Sequence, residues 1–164
     1  MPSPQTSRPH ASRKTPFDHI LAGDWPASFV YQDELCCAFM DIRPITKGHV
    51  LVIPRTAVDT LEQLSTVEYN HLWEVARRIA AAQRQSLGSL AQHFVVNDGK
   101  AASQTVPHVH IHVIPRYRGD SLHTLGKILW HVTTLVLPHR ESKASWARLD
   151  KVAADIASHM AVQL

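Results

Sequence analysis

Apolar residues recur at two periods along this chain, and the change of period marks its elements. Phe29-Val30-Tyr31, Leu35–Ile42 and His49–Ile53 are short runs rich in β-branched and aromatic residues. Polar breaks at Gln32-Asp33-Glu34 and Arg43–Gly48 separate them, which predicts successive antiparallel strands. Ser65-Thr66-Val67-Glu68 then reads as a capping box, in which Ser and Glu satisfy each other's exposed amide donors. Tyr69, Leu72, Trp73, Ala76, Ile79, Ala80 and Leu87 follow at helical spacing, and Gly88 supplies the stop. His93–Asn97 reads as a fourth strand, with a turn at Asn97-Asp98-Gly99, and His108–Pro115 is the most regular alternation in the chain. A last amphipathic helix starts near Ala144 and carries Trp146, Leu149, Ala153, Ile156 and Met160 on one side. Phe17–Leu21 reads as one helical turn ended by Ala22-Gly23, while Ser121–Pro138 fits helix and strand equally. Strands flanking a helix, with mostly antiparallel pairing, predict an α+β fold.

Composition narrows the class of protein. The 164 residues suit one domain, with 45% hydrophobic and 19% charged residues, enough apolar material for a core. Met1–Pro16 holds four prolines and no periodic apolar positions, and is expected to be a disordered tail. The body is expected over 17–120, with a C-terminal extension over 121–164 packed on it. Lys plus Arg is 17 against 14 for Asp plus Glu, but Arg8, Arg13 and Lys14 lie in the tail with no acid. The rest of the chain is formally neutral, so no nucleic-acid partner is expected. The apolar run Ile128–Leu137 is interrupted by His131, Thr133 and Thr134 and is too short to span a bilayer, so no membrane partner is expected either. Cys36 and Cys37 are adjacent within an apolar run, which is a poor disulfide framework and suggests buried thiols in a reducing cytoplasm.

The chemistry concentrates in His108-Val109-His110-Ile111-His112-Val113-Ile114. In an extended strand alternate side chains share a face, so the three imidazoles are expected on one surface and Val109, Ile111 and Val113 in a core. A rise of about 3.3 Å per residue spaces the rings roughly 6.6 Å apart along the strand. Such a row suits an extended anion, with one ring attacking and another delivering a proton. Imidazole has an ordinary pKa near 6.5, so it is a competent neutral nucleophile near pH 7, and attack on phosphorus would give a phospho-histidine intermediate. Three imidazoles are also a common zinc set, and a strand histidine is often only a satisfied polar residue. Against zinc stands the lack of any Asp or Glu between Gly99 and Gly119 to serve as ligand or orienter.

The segment resembles the signature of the histidine triad family of nucleotide hydrolases and transferases. Other segments match in the family's order: Ala38-Phe39-Met40-Asp41-Ile42-Arg43-Pro44, Gly48-His49-Val50-Leu51-Val52-Ile53-Pro54, Asn97-Asp98-Gly99 and Gln104-Thr105-Val106-Pro107. The resemblance implies a five-stranded, mostly antiparallel sheet with one long central helix and a C-terminal helix. It implies His110 as the nucleophile toward the α-phosphorus of a nucleotide, held in its tautomer by the carbonyl of His108. His112 would contact the phosphate and protonate the leaving group, and His49 would complete the cluster. Asp41, in the matched strand and turn with Ile42, would hold ribose hydroxyls. Asn97, Gln104 and Thr105 would bind phosphate oxygens. It implies no cofactor and a homodimer.

The run Ile114-Pro115-Arg116-Tyr117-Arg118-Gly119-Asp120 is closer to the dinucleoside polyphosphate hydrolase branch than to the phosphoramidase branch. Many bacterial members carry a zinc-binding Cys-x-x-Cys pair and a further histidine, where this chain has Thr15, Asp18 and Ala57, so no structural zinc is expected. Ser103 stands where the family has glycine before Gln104, which predicts strain if that position has positive φ. The readings open at this stage are a nucleotide hydrolase, a nucleotide-binding regulatory module with weak activity, and a His-ligated zinc protein.

Overall fold

Period-two alternation sorts the side chains of the strands onto two differently covered faces. The computed structural model describes residues 14–120, Gly126 and residues 142–160. Its strands are β1 (Phe29–Gln32), β2 (Cys36–Met40), β3 (Val50–Pro54), β4 (Ala91–Val95) and β5 (Ile111–Arg116). They form one sheet in the order β1-β2-β3-β5-β4, with every neighbouring pair antiparallel. The helices are α1 (Pro16–Leu21), α2 (Thr66–Leu87) and α3 (Lys143–Met160). This is the expected α+β architecture.

On one face Cys36, Ala38 and Met40 of β2, Val50 and Val52 of β3, and Ile111 and Val113 of β5 pack under α2 and α3. Leu72, Val75, Ala76 and Ile79 of α2 and Leu149, Ala153 and Ile156 of α3 complete this core. The other face carries Cys37, Phe39, Leu51 and Ile53, with Phe17 of α1 laid across them. The triad belongs to this second face, so α1 rather than a long helix covers it.

Local signals set the ends of α2 as the sequence predicts. Ser65 Oγ accepts from the Glu68 N–H at 3.2 Å and the Glu68 carboxylate accepts from the Ser65 N–H at 3.0 Å. Gly88 closes the helix in the left-handed region. The buried face differs in detail: Tyr69 is exposed and Trp73 half-buried, whereas Val75 and Gln83 are buried. Gln83 belongs inside because its Nε2 donates to the carbonyls of Gly48 (2.9 Å) and Val113 (3.2 Å), tying α2 to the approaches of β3 and β5. Gly48 has φ +90°, and a Cβ there would lie 2.4 Å from Leu87 Cδ1, so glycine is what permits this close approach.

The expected strand over His108–Pro115 starts only at Ile111. Val109 N–H donates to Val58 O at 2.8 Å, outside the sheet ladder, and the His108 side chain takes the carbonyl that a strand neighbour would have used. At the other end, α1 begins at Pro16, inside the segment read as tail, because Thr15 and Asp18 form a second capping box. Residues 1–13 and most of 121–141, including the ambiguous Ser121–Pro138 stretch apart from Gly126, lie outside the described residues. No helix among the described residues is long and apolar enough to cross a membrane.

Candidate active site

Two central strands bring the imidazoles together. His112 lies in β5, opposite Leu51 of β3 on one side and Val95 of β4 on the other. His49 immediately precedes β3 and His110 immediately precedes β5. The His110 and His112 ring centroids are 4.9 Å apart at 65°, and those of His49 and His112 are 5.1 Å apart. The row is tighter than the 6.6 Å that extended spacing predicts, because His110 sits before the regular strand and its ring turns edge-on to His112.

The hydrogen bonds fix tautomers. His110 Nδ1 lies 2.7 Å from the carbonyl oxygen of His108. A carbonyl only accepts, so Nδ1 carries the hydrogen and, in the neutral ring, Nε2 carries the lone pair. At His49 the order is set from the opposite side. Ile45 N–H donates to His49 Nδ1 at 3.3 Å, so His49 Nε2 holds the hydrogen and donates to His112 Nδ1 at 3.0 Å. His112 Nε2 then bears the proton. Asp41 Oδ2 lies 3.4 Å from His49 Nδ1, close enough to exchange a proton with that nitrogen. One ring therefore presents a lone pair while its neighbour presents an N–H, the arrangement required for nucleophilic attack coupled to proton donation.

The supports around the triad come from distant parts of the sequence. His108 is fully buried and donates from Nε2 to Pro54 O at 2.9 Å, with Nδ1 3.8 Å from Asp18 Oδ1. Phe17 stands edge-on to both His108 (5.7 Å) and His110 (5.3 Å). Phe17, Asp18 and Pro54 thus surround the triad, a placement that sequence reasoning did not assign to them, since no local pattern links them to it. Burial pushes the Cys37 thiol up to about 12, so it stays protonated beneath the site and offers no competing nucleophile near neutrality.

A structural zinc of the family type does not fit here. Thr15 Oγ1 donates to Asp18 Oδ2 at 2.8 Å within the helix cap, and Ala57 has no donor atom. That leaves one imidazole and one already engaged carboxylate where four ligands are needed. The sequence argument against metal from scarce neighbouring carboxylates needs correction, because folding brings Asp41 and Asp18 to the imidazoles. Donor atoms of Asp41, His49 and His112 lie within 4.8 Å of one another. His49 nevertheless faces Asp41 with one nitrogen and His112 with the other, so a single ion could not use all three without turning that ring.

The other expected residues are distributed unevenly. Asp41 is buried beside the cluster, its Oδ1 accepting from Arg43 N–H at 2.8 Å, and Ile42 is exposed. Asn97 is half-buried and Thr105 exposed. The Gln104 side chain ties its own loop to the segment after β3: Oε1 accepts from Gly99 N–H at 2.8 Å and Nε2 donates to Asp59 O at 2.7 Å. Its Nε2 also approaches His108 O at 3.5 Å, so Gln104 braces the carbonyl that orients His110. Ser103 has φ +64°, the sole positive value at a non-glycine among the described residues, as the replaced glycine predicts. A cavity of about 330 Å³ opens elsewhere, lined by Ile42, Lys47, Arg148 and Leu149, and no imidazole of the triad lines it.

Comparison with known proteins agrees with this geometry. The HIT domain family matches residues 22–119. A Bacillus subtilis relative named Protein hit is 36% identical over 119 residues, covering 72% of this chain and 82% of its own length. The asymmetrical bis(5'-nucleosyl)-tetraphosphatase of Schizosaccharomyces pombe is 40% identical over 90 residues, 55% of this chain and 50% of that protein. The crystal structure of a zinc-bound histidine triad family protein from Mycobacterium smegmatis superposes with a TM-score of 0.69 at 33% identity, covering 89% of this chain and 92% of that one. With its triad, sheet order and long helix in place, the chain belongs to the HIT domain family.

Proposed function

We propose that this protein is a nucleotide hydrolase that cleaves at the α-phosphorus of a purine nucleotide, with a dinucleoside polyphosphate as the favoured substrate class and a nucleoside phosphoramidate as the other. The similarity to a tetraphosphatase supports the hydrolase class, and the Arg116-Tyr117-Arg118-Gly119-Asp120 segment supports the branch. The observation that carries the reading is the 2.7 Å contact from His110 Nδ1 to the His108 carbonyl, which places the ring's lone pair on Nε2.

In this mechanism His110 Nε2 attacks the α-phosphorus and the bond to the leaving group breaks. His112 Nε2–H gives its proton to the departing oxygen or nitrogen, and His49 Nε2–H replaces it through His112 Nδ1. A proton taken up from solvent by Asp41 Oδ2 passes to His49 Nδ1, 3.4 Å away, so that each ring stays neutral, and the Asp41 carboxylate, ionised again, accepts from ribose hydroxyls. Water attacks the nucleotidyl-histidine, releasing the nucleoside monophosphate and restoring the ring. Asn97 and Thr105 supply neutral donors to phosphate oxygens, and Gln104 acts through the His108 carbonyl. No step requires a metal or cofactor.

The working form is a homodimer in a reducing compartment such as the cytoplasm. β4 is an edge strand, and Tyr69, Phe94 and Val95 are exposed there beside half-buried Trp73, which supports pairing with a second copy. Incubating the purified protein with a diadenosine polyphosphate and an adenosine phosphoramidate, side by side with and without chelator, tests the assignment. Higher kcat/KM on the former, unchanged by chelator, is expected; nucleotide binding without turnover on either would overturn it.

A further inference from the structure

The face of the sheet opposite the triad holds a second cluster of chemically capable side chains. Asp33 lies in the turn between β1 and β2, Cys36 opens β2 toward the helices, and His71 reaches down from α2. His71 Nε2 lies 2.5 Å from Asp33 Oδ2, and the donor atoms of all three residues fall within 4.8 Å of one another. We propose that Asp33, Cys36 and His71 form a binding site for a zinc-class divalent cation, which clasps α2 to the β1–β2 hairpin.

Donor chemistry selects the ion. A thiolate and an imidazole favour a borderline-soft metal such as Zn²⁺ or Co²⁺ over Mg²⁺ or Ca²⁺, which prefer all-oxygen sets. Zinc bonds run about 2.0–2.3 Å, so ligand atoms of a tetrahedral site stand roughly 3.3–3.8 Å apart, within the reach of this trio. The Asp33–His71 contact must open by somewhat under 1 Å as the ion enters. Charge also balances, since one carboxylate, one thiolate and a neutral imidazole cancel a dication at a place where Cys36 is buried and Asp33 and His71 are half-buried. The His71 and Asp33 side chains are 29% and 26% exposed, which leaves a route from solvent and room for water as a fourth ligand.

The outer support is already built. Asp33 Oδ1 accepts from the N–H groups of Leu35 (2.9 Å) and Cys36 (2.8 Å), while the Tyr31 hydroxyl donates to Oδ2 at 2.7 Å. These bonds hold the carboxylate in place, as the partners of metal ligands do. Coordination forms an S–metal bond, breaks the Cys36 S–H bond and releases that proton to solvent, while the neutral His71 ring shifts its hydrogen from Nε2, where it faces Asp33, to Nδ1 so that the Nε2 lone pair binds the ion; nothing is oxidised or reduced.

The test is a Co²⁺ titration of untagged, chelator-stripped full-length protein, followed by Zn²⁺ competition. The expected result is a thiolate-to-cobalt charge-transfer band saturating at one equivalent, with proton release in step, and loss of the band on adding Zn²⁺. Cys36→Ser abolishes the band, and His71→Gln weakens binding at least about tenfold. Cys37→Ser, on the opposite face, and His110→Ala both retain it. If Cys36→Ser fails to fold, the wild type and His71→Gln still decide. No charge-transfer band in the wild type, a band that survives Cys36→Ser, or unchanged affinity in His71→Gln would overturn the proposal and leave a hydrogen-bonded clasp only.

Discussion

Replacing His49 by Leu and by Gln separates proton alignment from mere space filling. In the wild type the His49 Nε2–H donates to His112 Nδ1 at 3.0 Å, which commits the His112 proton to Nε2. Leu fills a similar volume but offers no donor, so the His112 tautomers lose the bias of that bond. A neutral hydrogen bond contributes about 0.5–1.5 kcal/mol net, which converts to a roughly 2- to 13-fold loss of the proton-donating tautomer. A positioned acid accelerates typically 10²–10⁴-fold, so the tautomer penalty is a fraction of the acid's whole contribution. We therefore expect kcat for His49→Leu to fall about tenfold with KM little changed, and His49→Gln, whose amide N–H can point at His112, to recover part of it. Steady-state kinetics on a diadenosine polyphosphate, with ¹⁵N NMR of the His112 ring, provides the assay. Equal losses in Leu and Gln variants, or a His112 tautomer unchanged in His49→Leu, would refute the alignment.

Two further predictions concern the scaffold. Ser103→Gly relieves a left-handed residue whose strain costs about 1–2 kcal/mol, partly offset by the added freedom of the unfolded chain, so thermal unfolding should show a neutral to slightly raised Tm; a clear drop would contradict the strain. Glu68 accepts from the Ser65 hydroxyl and backbone and from the Thr56 hydroxyl, which lowers its pKa in the fold. A depressed folded-state pKa contributes stability above the unfolded carboxylate range and loses it as pH falls through and below that range. Glu68→Gln should thus be less stable than wild type at pH 7 by chemical denaturation, with the gap closing below about pH 4; a gap independent of pH would contradict this.

Short-range signals were readable in the sequence wherever neighbours along the chain settle the geometry. The Ser65–Glu68 box and Gly88 bound α2 because both are satisfied within one turn. Strand alternation sorted Val113 from His112 for the same reason. What escaped was set by contacts between distant segments. His108 leaves the ladder for Pro54 O, which shortens the strand and tightens the ring spacing. Asp18 and Asp41 arrive from far upstream, so counting carboxylates near the triad misjudged its surroundings. The resemblance gives Gln104 a phosphate role, and in the fold its side chain also bridges the Gly99 amide and the Asp59 carbonyl, a link between distant segments that no local pattern announces. Thr15 and Pro16 looked like tail because the capping partner, Asp18, lay across the boundary.

The covalent role of His110 is tested most directly by rapid acid- or base-quenched turnover of a slowly hydrolysed nucleotide substrate, with intact-mass analysis and mapping of the modified peptide. The predicted result is a nucleotide monophosphate adduct on His110 that forms and decays at rates consistent with turnover, and a His110→Ala protein that folds, binds nucleotide and loses several orders of magnitude in kcat. Turnover at wild-type rate in His110→Ala, or an adduct mapped to another residue, would contradict it.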